Sequence, residues 1–164
     1  MEHDIRTFGD PVLTSRATAV KEFDESLQRL AEDMIRIMRE HDGVGLAANQ
    51  IGRLKRVFVA AYEDEEYALV NPVIETHSET TEKDVEGCLS LPGTRVEVDR
   101  PLAITVTGHD PSGAPVLVEA EGLLARIFQH EIDHLDGILI LDRTDRESRK
   151  EAMREIRERM LARK

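Results

Sequence analysis

Gln129-His130-Glu131-Ile132-Asp133-His134 sets two histidines four residues apart, with a glutamate directly after the first. On an α-helix, positions i and i+4 share a face, about 5–6 Å apart at Cβ. His130 and His134 are therefore spaced to reach one metal ion. Glu131 projects from the neighbouring stripe, beside the side such an ion leaves open. This set suits metal-activated water with a carboxylate to move its proton. A solvated helix face rich in Glu and His would give the same letters by chance, but the flanking residues argue against it. Leu123, Ile127, His130 and His134 follow i, i+4, i+7, i+11, and Leu124, Phe128, Glu131 and Leu135 form the adjoining stripe. Both stripes are expected on the apolar, inward side. Buried polar groups need partners, and a metal with its water would supply them.

Two other stretches carry residues of chemical interest. Glu86-Gly87-Cys88-Leu89-Ser90 holds the only cysteine, so an internal disulfide and a Cys-x-x-Cys clip are both excluded. A lone cysteine is most often a small buried hydrophobe; beside His-Glu-x-x-His, the ligand reading is favoured. Gly43-Val44-Gly45-Leu46-Ala47-Ala48-Asn49-Gln50 combines glycines with small residues, which lets a backbone or a ligand approach closely. It lacks the Gly-Lys-Ser/Thr ending of a phosphate loop. A tight helix-to-strand turn explains it at least as well. Gln50 follows a run too small to bury it, and its amide can donate to an oxygen.

The elements that must position these residues follow from patterning. The chain has 164 residues, 40% hydrophobic and 34% charged, which is ordinary for one globular domain. Asp24 is the expected N-cap of a helix reaching about His41, with Leu27, Leu30, Ala31, Met34, Ile35 and Met38 as its core face. Strands are expected at 56–61, 67–70, 73–76, 102–108 and 116–119, the last two as a hairpin around Asp110-Pro111-Ser112-Gly113. Residues 77–84 read as polar loop. After the metal helix, Gly137 marks a stop, and 138–141 read as a short buried strand or extended segment. A terminal helix is expected over 145–164, with Met153, Ile156, Met160 and Leu161 on its apolar stripe. The order of elements predicts an α+β fold: mostly antiparallel sheets around a central metal helix, flanked by N- and C-terminal helices, in a single domain over 1–164.

The net charge of −11 argues against binding of free nucleic acid. No apolar run approaches a membrane span of ~18 residues, and the first residues show no signal or transit character. The chain reads as cytoplasmic. From 143 to 164 the balance reverses, with nine basic and five acidic residues. His3, His41, His77 and His109 lack ligand spacing and are expected at the surface.

Together the three stretches resemble the peptide deformylases, which remove the formyl group from the N-terminal methionine of new chains. The family's Gly-x-Gly-x-Ala-Ala-x-Gln, Glu-Gly-Cys-x-Ser and Gln-His-Glu-x-Asp-His motifs are all present, in order and without internal mismatch. The resemblance implies Cys88, His130 and His134 as ligands of one divalent ion. Ligand type alone favours zinc, whereas the resemblance implies native Fe²⁺, with Zn²⁺, Ni²⁺ or Co²⁺ able to replace it. It implies Glu131 as the proton-transfer group, and Gln50 with the Leu89 backbone N–H as oxyanion donors. An N-formylmethionyl nascent peptide is expected to lie as an added strand along Gly43, Val44 and Gly45. Val44, Leu123 and Ile127 are either the methionine pocket or plain core. Glu86 is expected to be structural, paired with Arg95 or Arg100, and Asp133 to accept a hydrogen bond or ion pair near the histidines. The basic C-terminal helix is either a solvated amphipathic helix or a ribosome contact.

Two other functions share parts of this pattern. A zinc peptidase of the His-Glu-x-x-His type takes its third ligand downstream, yet here Cys88 lies upstream and His134 is the last histidine. A non-catalytic, ribosome-associated metal module would need neither Glu131 nor Gln50.

Overall fold

Two amphipathic helices sandwich an antiparallel sheet, and their periodicities are those the sequence dictates. The computed structural model describes residues 4–162; His3, Arg163 and Lys164 lie outside them. Asp24 opens α1 (Glu25–Glu40), its Oδ1 accepting the Leu27 N–H at 3.1 Å. Such a cap stabilises a helix by about 1 kcal/mol. The buried face of α1 carries Leu27, Leu30, Met34, Ile37 and Met38.

The main sheet joins β1 (Gly45–Ala47), β2 (Val57–Tyr62), β3 (Glu65–His77), β6 (Ala103–His109) and β7 (Pro115–Glu121) in that spatial order, with every pairing antiparallel. Its second strand explains the core. Val57 and Val59 pack against α1, while Phe58 and Ala60 face α2 (Gly122–Leu135). Burial on both faces makes β2 a continuous apolar run rather than an alternating one. Phe128 of α2 meets Phe58 and Tyr67 edge-on, at centroid distances of 5.1 and 5.2 Å. Fully burying an aromatic of this size contributes roughly 1.5–3 kcal/mol.

The segments expected as strands at 67–70 and 73–76 are one strand, β3, bent where Asn71 adopts φ 51 and Pro72 follows. The Asn71 side chain secures the bend through the N–H and C=O of Val20, at 2.8 and 2.9 Å. The loop expected over 77–84 is corrected by β4 (Thr81–Gly87), which pairs with β5 (Arg95–Pro101), a strand that patterning missed. Only Val96, Val98 and Arg100 of β5 point inward. An arginine at the third inward position disguises the period of two.

The segment 138–141 is not a strand. Residues 140–143 form one helical turn, α3 (Ile140–Arg143), because Asp142 Oδ2 accepts the Leu139 N–H at 2.9 Å. The last helix, α4 (Arg146–Ala162), starts where Asp145 Oδ1 accepts the Ser148 N–H at 2.8 Å. Its Ala152 and Ile156 cover Leu91, Val96 and Val98. Met160 and Leu161, expected on that stripe, are exposed. Among the described residues, no helix is long and apolar enough to cross a membrane.

Candidate functional site: metal centre and cleft

The second half of α2 brings His130 and Glu131 to the lining of a cleft, with His134 buried one turn further on. The turn after β4 delivers Cys88 to the same place. The Cys88 Sγ and one ring nitrogen from each histidine all lie within 4.8 Å of one another, with Sγ 3.3 Å from His134 Nε2. Burial pushes the Cys88 thiol up, but His134 and His130 beside it outweigh that effect and hold it well below the ordinary thiol range. A thiolate and two imidazoles are a donor set for a four-coordinate ion that keeps one position open.

Behind His130 stands an ion-pair network. Glu86 Oε1 lies 2.9 Å from His130 Nδ1. Glu86 also accepts from Arg100 Nε and Nη2 at 2.6 and 2.9 Å, and from Arg126 Nη1 at 2.6 Å. Burial raises the Glu86 carboxyl, yet the His130 hydrogen bond and Arg100 outweigh it and hold it at about 2. An ionised carboxylate only accepts, so Nδ1 donates and Nε2 is the nitrogen left for a ligand. Burial lowers the His130 pKa, but Glu131, Cys88 and Glu86 outweigh it and hold it above the ordinary histidine range, so an arriving ion would displace a proton from Nε2. Arg100 also donates through Nη1 to Asp133 Oδ2 at 2.9 Å, and Arg143 Nη2 donates to Asp133 Oδ1 at 2.8 Å. Asp133 is thus ion-paired near the metal cluster, and Glu86 pairs with Arg100 rather than Arg95. Sequence reasoning missed Arg126 and Arg143. The signal for Arg126 was a lone charge within the apolar run 123–128.

Glu131 has the opposite surroundings. It is buried, and its Oε1 has no hydrogen-bond partner among the described residues. Burial pushes its carboxyl above the ordinary range against the pull of His130 and His134. Gly45 makes room for it: a Cβ there would collide with Glu131 Oε2 and lie 2.9 Å from Cδ.

Gln50 is buried, contrary to expectation, because a 3-10 turn over Ala48–Ile51 folds it inward. Its Oε1 accepts the Ala47 N–H at 2.9 Å. Its Nε2 lies 3.1 Å from Ser90 Oγ and 3.7 Å from Cys88 Sγ. Ser90, fully buried, is a positioning contact that the sequence did not single out. Among the described residues, no acceptor takes the Leu89 N–H. Gly43 lets the Leu89 side chain close over the loop, since a Cβ there would lie 2.9 Å from Leu89 Cδ1.

The cleft measures about 640 Å³, and its lining includes Gly43, Val44, Gly45, Leu123, Ile127 and Val85. Leu123 and Val44 are 54% and 56% exposed, so Leu123 is not on the inward side as expected. Its stripe turns from core at Ile127 to cleft rim at Leu123. His41 and His77 are exposed, and His109 is half-buried against Phe23.

Residues 2–150 match the family model described as polypeptide deformylase. The chain belongs to the polypeptide deformylase family. It is 50% identical over 158 residues to peptide deformylase 1 of Corynebacterium glutamicum, covering 94% of each chain. The crystal structure of peptide deformylase from Thermus thermophilus superposes with a TM-score of 0.91 at 45% identity, covering 98% of this chain and 96% of that one. The Thermotoga maritima peptide deformylase gives 0.86 at 46% identity, covering 88% and 99%. The α+β architecture is shared with these deformylases. The peptidase and non-catalytic readings are not favoured.

Proposed function

We propose that this chain hydrolyses the formyl group from the N-terminal methionine of newly made polypeptides, releasing formate, with Cys88, His130 and His134 holding one divalent metal ion. The observation that carries the reading is Glu131: a buried carboxylate with an unpartnered oxygen and a raised pKa, next in sequence to a ligand histidine. The donor set fits an ion, because Cys88 is biased toward thiolate and Glu86 accepts from His130 Nδ1, which leaves Nε2 as the ligating nitrogen. When bound, the ion supplies Lewis acidity, lowering the pKa of water and polarising a carbonyl. Fe²⁺ is the expected native ion, and the same ligands accept Zn²⁺, Ni²⁺ or Co²⁺.

The side chains divide the remaining work. Glu131 accepts a proton from the attacking water and delivers it to the departing amine nitrogen, so one carboxylate serves both halves of the hydrolysis. The Gln50 amide and the Leu89 N–H donate to the oxygen of the formyl carbonyl as it gains charge. Removing one such donor costs about 10²–10³ in rate. Glu86 holds the His130 ring in orientation. The peptide backbone pairs along Gly43, Val44 and Gly45 as an added strand. Leu123, Ile127 and Val44 receive the methionine side chain. The enzyme works in the cytoplasm, and the basic face of α4 is a candidate ribosome contact.

The test is formate release from formyl-Met-Ala-Ser by protein purified anaerobically with Fe²⁺, alongside Glu131→Ala. Activity in the parent and none in the variant is the expected result. A metal-loaded parent that releases no formate would sink the proposal. For α4, removing residues 145–164 is expected to weaken cosedimentation with ribosomes, and undiminished cosedimentation removes that partner.

A further inference from the structure

One wall of the cleft comes from outside α2. After Cys88 the chain turns through residues 91–94, which line the cleft. Leu91, Pro92 and Thr94 also line an outer groove against α4. This stretch is therefore a thin partition with the cleft on one side and the terminal helix on the other. Arg159 of α4 reaches it with its whole guanidinium fork. Nη1 donates to the Pro92 carbonyl at 3.0 Å and to Thr94 Oγ1 at 3.1 Å, and Nη2 donates to the Gly93 carbonyl at 2.9 Å. Gly93 stands at φ +77, and a Cβ there would lie 3.1 Å from Arg159 Cζ. Glycine is thus needed both for the turn and for the guanidinium to lie against it. Beneath this contact Ile156 and Ala152 pack with Leu91 and Val96, so both ends of the turn rest on α4.

We propose that Arg159 is a positioning residue that latches the 92–94 partition and thereby sets how tightly the cleft grips its peptide. The inference rests on the peptide-substrate reading of the cleft, and it concerns a residue beyond position 150, where the family match ends. Three acceptors on consecutive residues are gathered by one planar group, a geometry that a point-charge ammonium does not reproduce. Without the fork, the turn at Gly93 is free to re-aim its carbonyls, and the partition loses its fixed place in the cleft lining that it shares with Val44 and Leu123. His130 and Glu131 stand on α2, and Leu91, whose N–H donates to the Cys88 carbonyl at 3.0 Å, stays packed on Ile156, so the reacting groups keep their places when residues 92–94 loosen. The latch therefore acts on binding rather than on the chemical step. It also makes α4 a lever, since anything that displaces the helix moves a wall of the cleft.

The experiment compares Arg159→Met, which keeps the stem and removes the donors, with Arg154→Met, whose parent side chain pairs, among the described residues, with Glu151 and Glu158 on the same helix. KM and kcat are measured on formyl-Met-Ala-Ser at equal metal content. Backbone hydrogen exchange is read at Thr94, whose N–H donates to the Leu91 carbonyl at 3.0 Å. Arg159→Met is expected to raise KM on the order of tenfold, with kcat within about twofold, and to speed Thr94 exchange by about tenfold. Arg154→Met is expected to match the parent in each. Unchanged KM in Arg159→Met overturns the proposal, even if its Tm falls, because a lowered Tm alone marks a merely structural contact. If the parent releases no formate, the functional reading has failed separately. Thr94 exchange then decides the latch, with equal rates in parent and variant overturning it.

Discussion

Glu86 and Glu131 are both buried carboxylates flanking His130, and they have opposite fates. Glu86 is saturated, with two arginines and an imidazole around its two oxygens, and its pKa is held at about 2. Glu131 has an oxygen with no partner and a raised pKa. One group is fixed in charge and geometry, the other is free to gain and lose a proton. The difference teaches that partners, not burial, separate a structural carboxylate from a chemical one. Burial raises both; only Glu86 has cations enough to reverse it.

The largest expected effect comes from the unsaturated member. Glu131→Ala should lower formate release by at least about 10³, within the range for loss of a proton-transfer group and its electrostatic role. Its urea midpoint should stay near that of the parent or rise, since a buried group without a full set of partners is removed. Retained activity would reassign the proton transfer and erase the contrast with Glu86.

Glu86→Ala should reverse that pattern. It strands Arg100 and Arg126, both largely buried, beside an unsupported His130. Breaking a buried network from one side costs about 3–5 kcal/mol. Chemical unfolding of the metal-free protein reads this directly, and a loss under about 1 kcal/mol would mean that the arginines find other partners.

The same network makes a pH prediction. The folded pKa of Glu86, about 2, lies below its ordinary 4.5. Its contribution is therefore present above pH 4.5 and lost as pH falls toward 2. The stability gap between parent and Glu86→Gln in metal-free protein should be widest near neutrality, on the order of 3 kcal/mol, and should narrow through that window. A gap that is constant from pH 7 to 3 would remove the assignment of Glu86 as the charged partner.

These two regions were unequally legible in the sequence. The proposed metal ligands, Glu131 and Gln50 sit in three contiguous runs, and the structure brings them together. The network behind His130 is assembled from β4, β5, α2 and α3, with no two of its arginines on one element. Arg100 and Arg95 were indistinguishable until β5 was seen as a strand, with Val96, Val98 and Arg100 on its inward face. Buried arginines reverse the polarity on which sequence patterning rests. The fold shows the same division. α1 and the β6–β7 hairpin follow their periodicities and β2 its continuous apolar run, whereas the charged strand β4 and the turn α3 depend on tertiary partners. Leu123 fails for a related reason: it shares a helical stripe with Ile127, His130 and His134, but only the residues from Ile127 onward turn inward.

The smallest effect tests how Glu131 is placed without hydrogen bonds to hold it. Its carboxylate fills the space that Gly45 of β1 leaves by lacking a Cβ. In Gly45→Ala the new methyl must displace the far end of the Glu131 side chain, which can rotate, so the backbone need not move and stability should change by no more than about 1 kcal/mol. The metal ligands lie outside this contact, so metal content should match the parent. A carboxylate shifted by about 1 Å loses alignment with the water it must deprotonate, so kcat should fall by about 10- to 100-fold. An unchanged kcat would show that Glu131 acts from a range of positions. The contrast with Glu86 would then sharpen: the saturated carboxylate would be fixed by its partners, and the other would need none because its role tolerates motion.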